Sequence, residues 1–154
     1  MIRRRPRAAL LVAIALAAAG VARASNPTWM GPQREPTLGE YINDLDSDVA
    51  PDRLYAARVL RSRVKLALRQ SGWRDPLYAA AAAQDLSDFD RSVAPLCVEG
   101  LALRNITRPC ADILRLLETA DAIGPLRAAA DAEDRAGVAR RLRAAALAIE
   151  EASR

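Results

Sequence analysis

Apolar residues recur every three or four positions over most of the chain, a period that predicts helices throughout. The cleanest stripe is C-terminal, where Val138, Leu142, Ala145 and Ile149 are spaced by 4, 3 and 4. It belongs to the second of two helices, one from Asp121 to about Asp131 and one from Glu133 to about Ala152, with Asp131, Glu133 and Asp134 at the start of the second, where they suit its dipole. Residues 51–70 form the longest clear helix, with Ala57, Leu60, Val64 and Leu68 on one face. Pro51 sits in its first turn, where the missing N–H costs little, and Gly72 marks its stop. Upstream, Thr37-Leu38-Gly39-Glu40 has the form of a capping box and opens a helix to about Asp46. The Ala-rich segment 76–86 reads as a short, closely packing helix with Leu77, Tyr78 and Leu86 as its larger contacts. Asp85, Asp88 and Asp90 follow, placed to cap the next helix or to pair with basic side chains. Residues 92–103 put Val93, Leu96, Cys97, Gly100 and Leu101 on one side. Arg104-Asn105-Ile106 is a turn, and Thr107 and Pro109 start a helix whose apolar face holds Cys110, Ile113, Leu114 and Leu117.

The first 36 residues break the pattern. Arg3, Arg4, Arg5 and Arg7 precede an apolar run of 14 residues, Ala8 to Val21, and Ala22-Arg23-Ala24 supplies small residues at both recognition positions. This three-part arrangement is that of a secretory signal peptide over residues 1–24, with cleavage expected after Ala24. The run is short for a membrane span, which takes about 20 apolar residues, so no stable membrane insertion is expected after cleavage. Residues 25–36, with Pro27, Gly31, Pro32 and Pro36, read as an extended linker. Arg outnumbers Lys 22 to 1 and Ala is abundant, a bias common in GC-rich bacteria. The expected destination is therefore periplasmic or secreted.

Charge changes meaning once that segment is set apart. The whole chain carries +4, but residues 1–24 hold five Arg and no acid, and the remainder has 18 basic and 19 acidic residues, a net of −1. A generic attraction to nucleic acid is not expected of such a chain. The chain has no His, which removes imidazole catalysis and the common His-bearing metal sites. Asp44, Asp46 and Asp48 alternate like the start of a calcium loop, but Val49 stands where the sharp turn needs Gly and Tyr55 where the bidentate Glu belongs. No carboxylate pair stands out from helix capping, and no catalytic residue, metal or cofactor is expected. Cys97 and Cys110 lie 13 positions apart in a chain read as exported, and an oxidising compartment favours a disulfide between them. A spacing of 13 is unlike a redox-active C-x-x-C pair.

Internal repetition gives the fold class. Val93-Ala94-Pro95-Leu96 recurs as Ile123-Gly124-Pro125-Leu126 at an offset of 30 residues, and each copy opens a helix, passes a polar turn and leads to a second helix. The same two-helix order begins at Thr37, with Leu54 to Leu60 in its second helix. The chain here resembles the HEAT-repeat family in its short form. Ala122-Ile123-Gly124-Pro125-Leu126-Arg127-Ala128-Ala129 looks like a first helix of such a unit and Arg135 to Ile149 like a second. The usual Asp-x-x-Val-Arg start is only approximated by Asp134-Arg135-Ala136-Gly137-Val138. The resemblance covers roughly residues 37–152 and implies an all-α, short right-handed α-solenoid of antiparallel helical hairpins. An irregular helical bundle is the alternative. The resemblance also implies a scaffold for protein contact, with second helices lining one concave surface. Those helices carry Arg58, Arg61, Lys65 and Arg69, then Arg108 and Arg115, then Arg140 and Arg143, so the expected partner is an acidic protein. The readings kept beside this one are a binder of an anionic surface or polymer through the Arg-lined helices, and an enzyme of unknown type.

Overall fold

A computed structural model describes residues 36–154. The expected signal peptide, and the expected linker except Pro36, lie outside the described residues. Seven α-helices follow in order: α1 Leu38–Leu45, α2 Ala50–Ser71, α3 Pro76–Ser92, α4 Ala94–Gly100, α5 Thr107–Leu117, α6 Ile123–Ala132 and α7 Ala136–Ala152. A 3₁₀ turn over Ala120–Ala122 leads into α6, and the described residues contain no strand, so the fold is all-α.

Local sequence sets most of the boundaries. The capping box is formed: Thr37 Oγ1 accepts from the Glu40 backbone N–H at 3.3 Å, and the Glu40 carboxylate accepts from the Thr37 N–H. α2 carries Pro51 in its first turn and buries Ala56, Ala57, Leu60, Val64 and Ala67. Ala67 thus takes the last place on the buried stripe, and Leu68 sits at the edge of the face, 36 % exposed. At about 100° per residue, three steps turn back about 60° and four turn forward about 40°; Val64 already lies forward of the centre of Ala56, Ala57 and Leu60, so the step to Ala67 returns toward it and the step to Leu68 moves away.

Two boundaries differ from expectation. α3 runs to Ser92 instead of ending near residue 86, which places Asp85, Asp88 and Asp90 inside it. Ala82 and Phe89 are buried and Leu86 half-buried, so an apolar stripe continues through the acidic stretch and holds the helix onto its neighbours. Asp88 pairs with Arg91 within the same helix at 3.9 Å, and Asp90 accepts from the Thr119 hydroxyl at 2.8 Å. α7 begins at Ala136, and Glu133 and Asp134 precede it while Asp131 belongs to α6. The cause is a tight local chelate: Glu133 accepts from the Arg135 backbone N–H at 3.0 Å and from its guanidinium at 2.7 and 2.6 Å. That geometry holds Glu133 and Arg135 in extended conformations.

Packing follows the hairpins. α2 lies against α1, α3 and α5; α5 lies against α4, α2 and α7; α7 lies against α6 and α5. One cluster of fully buried side chains joins them, including Leu60 and Val64 of α2, Ile113 and Leu114 of α5, Leu126 of α6, and Val138, Leu142 and Ile149 of α7. The turn between α4 and α5 is pinned by Thr107, a buried polar residue whose hydroxyl donates to the Leu103 and Leu101 carbonyls at 2.9 and 3.3 Å.

The α4–α5 contact depends on Gly100. A Cβ there would stand 2.9 Å from Cys110 Sγ and 2.9 Å from Ile106 Cδ1, inside any normal contact distance. Both neighbours are fully buried and have little room to retreat. Gly100→Ala is therefore expected to destabilise the fold by about 1–3 kcal/mol through overpacking, against the gain a helical Ala normally brings. Urea denaturation followed by circular dichroism measures it.

Candidate functional site

The basic residues singled out in the sequence have different situations in the fold. α2 contains one acid, Asp52 in its first turn, and residues 53–71 carry Arg53, Arg58, Arg61, Arg63, Lys65 and Arg69 with no acid between them. Three of these are tied down. Arg53 donates to the Ser47 carbonyl at 2.6 Å, Arg61 pairs with Asp112 of α5 at 2.8 Å, and Arg63 lies 5.0 Å over the Tyr41 ring while donating to the Pro36 carbonyl at 3.3 Å. Arg58, Lys65 and Arg69 are exposed and form no ion pair among the described residues. Their spacing of 7 and 4 sets them along one edge of the solvent face of α2. On α7, Arg143 pairs with Asp131 of α6 at 3.1 Å, whereas Arg140 is exposed.

Beside the cationic row of α2 runs an apolar one. Tyr55, Val59, Ser62 and Leu66 are spaced by 4, 3 and 4, with Tyr55 59 % and Leu66 51 % exposed. With Arg58 and Arg63 they line a shallow groove of about 480 Å³. The Tyr55 ring meets Tyr41 of α1 at 6.1 Å between centroids, which fixes one wall. The sequence carries this second row in its spacing, but a buried stripe on the same helix obscures it.

A larger cleft of about 520 Å³ lies between the α4–α5 turn and the α6–α7 turn. Val98, Leu101, Ala128 and Ala129 are among its apolar lining. Its charges satisfy one another: Arg104 pairs with Asp134 at 3.1 Å, Arg135 with Glu133 at 2.6 Å, and Arg135 also donates to the Arg104 carbonyl at 3.3 Å. The Arg135 side-chain and backbone hydrogen bonds hold the Glu133 carboxyl down to about 2. Such a carboxylate stays ionised and is a poor proton donor near neutral pH. No group of three or more His, Cys, Asp or Glu side chains is arranged to hold a metal among the described residues.

Cys97 and Cys110 face each other across the α4–α5 hairpin, both fully buried and both free thiols. Hydrogen bonding with Cys110 and burial push the Cys97 thiol well above the ordinary thiol range. The Cys97 thiolate needed for attack is therefore scarce in the folded protein.

No protein-family model matches the chain, and no curated protein or solved structure matches it either.

The Glu133–Arg135 chelate gives a pH signature. A carboxyl depressed in the folded state contributes stability in full above its unfolded value, near 4.5, and loses it as pH falls toward 2. Glu133→Gln should therefore melt below the parent protein at pH 7, and the difference should shrink steadily between pH 4.5 and pH 2 in thermal scans.

Proposed function

We propose that this chain is a non-catalytic protein-interaction module of the bacterial cell envelope. In this reading it is a short α-solenoid of HEAT-like hairpins whose cationic face meets an acidic partner protein. The observation that carries the proposal is the solvent face of α2, where Arg58, Lys65 and Arg69 stand free of ion pairs among the described residues, alongside Tyr55 and Leu66. An acidic segment with apolar anchors complements both rows at once. The solenoid reading is supported by the packing order. The second helices α2, α5 and α7 contact one another in sequence, and each also contacts the preceding helix of its own pair, α1, α4 or α6. α3 enters as an insertion between the first and second pairs, against α2 and α4. Three units make a short array composed mostly of end caps.

The partner test reverses charge only where the fold does not use it. Arg58→Glu, Lys65→Glu and Arg69→Glu together should leave the melting temperature near that of the parent and abolish co-purification of the acidic partner with the exported protein. Arg61 is left intact because its loss would strand Asp112 on α5. Unchanged capture by the triple variant would overturn the proposal.

The same envelope reading makes Cys97 and Cys110 a disulfide in the exported protein. A disulfide-carrying oxidant takes up their two electrons and two protons. Pairing has to precede closure of the core, because both thiols are inaccessible afterwards. Protein from the exported fraction, denatured under acid and alkylated, should show no reactive thiol before reduction and two after. Holding closed a loop of this length stabilises by roughly 3 kcal/mol, so refolding under reductant should lower the melting temperature. Two thiols alkylated without reduction would exclude the bridge.

A further inference from the structure

A separate set of exposed side chains lies at the turn between α2 and α3. Trp73, Leu77 and Tyr78 are 49, 80 and 58 % exposed, a concentration of large apolar surface within six residues. The turn is rigid. Asp75 caps α3 by accepting from the Leu77 N–H at 2.9 Å, and Pro76 occupies the first turn. The Trp73 and Tyr78 rings meet edge to face, 5.7 Å between centroids at 62°. Exposed Arg69 and Arg74 flank them, and Asp75, committed to its cap, is the sole acid between residues 66 and 84. Behind the tip, residues 76–84 carry no charge, and Ala80, Ala81 and Ala83 are exposed.

We infer that the α2–α3 turn is a membrane-contacting tip that docks on an anionic phospholipid surface, with Trp73, Leu77 and Tyr78 entering the interface and Arg69 and Arg74 meeting lipid phosphates. The shape favours a bilayer over a protein partner, because Leu77 projects outward, 80 % exposed, and a protruding leucine suits a soft, deformable medium. Trp and Tyr rings settle at headgroup depth, where one end of each stays wet. Arg side chains lay their stems along apolar surface and keep their charge at the phosphates. The uncharged slope of α3 lets the tip approach without burying an unpaired ion. Among the described residues no helix is long and apolar enough to cross a membrane, so the contact is peripheral. The inference shares Arg69 with the cationic row of α2 but does not need the acidic protein partner proposed above, and the Trp73 and Leu77 readouts are its own.

The test uses the full chain carrying Trp29→Phe, so that Trp73 is the remaining tryptophan reporter. With vesicles containing phosphatidylglycerol, Trp73 emission should move to shorter wavelength and be quenched by lipids brominated near the headgroup. Arg69→Glu with Arg74→Glu should remove the shift, as should raising the salt. Leu77→Ser, at a site too exposed to affect folding, should weaken vesicle affinity about tenfold as read from the titration of the shift. Because the reporter is local, binding through residues 1–24 does not imitate it. Unchanged Trp73 emission on anionic vesicles overturns the inference. So does an equal shift on purely phosphatidylcholine vesicles, or a shift that appears without lipid and grows with protein concentration, which would mark a second copy as the occupant.

Discussion

The position of α5 is the constraint on which the other helices depend. It is short, yet Pro109, Cys110, Ala111, Ile113 and Leu114 are all buried, because α2, α4 and α7 pack around it. A helix enclosed on so many sides is approached closely, and Gly100 leaves no Cβ between α4 and α5. Small residues are also buried on the helices around it: Ala56 and Ala57 of α2 and Ala145 and Ala146 of α7 are almost wholly buried. Small side chains give up transfer energy individually, since burial stabilises roughly in proportion to the apolar area removed from water. They recover some of it through tighter backbone approach and a denser interior. The larger contributions are left to a few residues, Leu60, Ile106, Ile113, Leu114, Leu126, Leu142 and Ile149, all fully buried.

Charge is divided between holding the fold and facing outward. Arg61–Asp112 ties α2 to α5, while Arg127–Glu150 and Arg143–Asp131 both tie α6 to α7. Each lies at or near the surface, where such pairs contribute about 0–1 kcal/mol, so they orient helices more than they stabilise them. Their effect on the outer surface is larger, because a cation held by an acid presents little net field. α2 escapes this cancellation after Asp52 because it lacks acids of its own and Arg61 alone among its cations finds an ion-pair partner on α5 among the described residues.

Much of this architecture was legible in the residues. The capping box at Thr37, the first-turn prolines, the turn at Arg104–Ile106 and the stripe of α7 are local signals, and the helices form where those signals stand. Where the structure departs from those local signals, tertiary packing or a competing local contact decides. α3 looked finished where its acids begin, because solvent-facing Asp residues resemble a cap until Phe89 is known to be buried behind them. Glu133 resembled a helix-start acid, but the guanidinium two residues away bound it first. The cationic spacing was visible, while which cations stay free depended on Asp112, distant in sequence from Arg61, and on Asp131, which the α6–α7 hairpin brings to Arg143. The tip at Trp73 was the least visible feature, since an aromatic residue beside a turn more often anchors a core than leaves it.

Net charge says little about how such a protein finds a partner. With the proposed signal segment removed, residues 25–154 would sum to −1, which leaves no strong long-range field to steer association. Attraction from three or four local cations fades within the screening length, about 8 Å at physiological salt. A cationic face on a nearly neutral body therefore needs contact energy of another kind to hold what it touches. Both exposed regions of α2 and its following turn meet that requirement in the same way. Tyr55 and Leu66 lie beside Arg58 and Lys65, and Trp73 and Leu77 lie beside Arg69 and Arg74. In each case desolvating the apolar group strengthens the neighbouring charge by lowering the local dielectric. The pairing of apolar and cationic rows, more than the number of arginines, is the observation on which both proposed contacts rest.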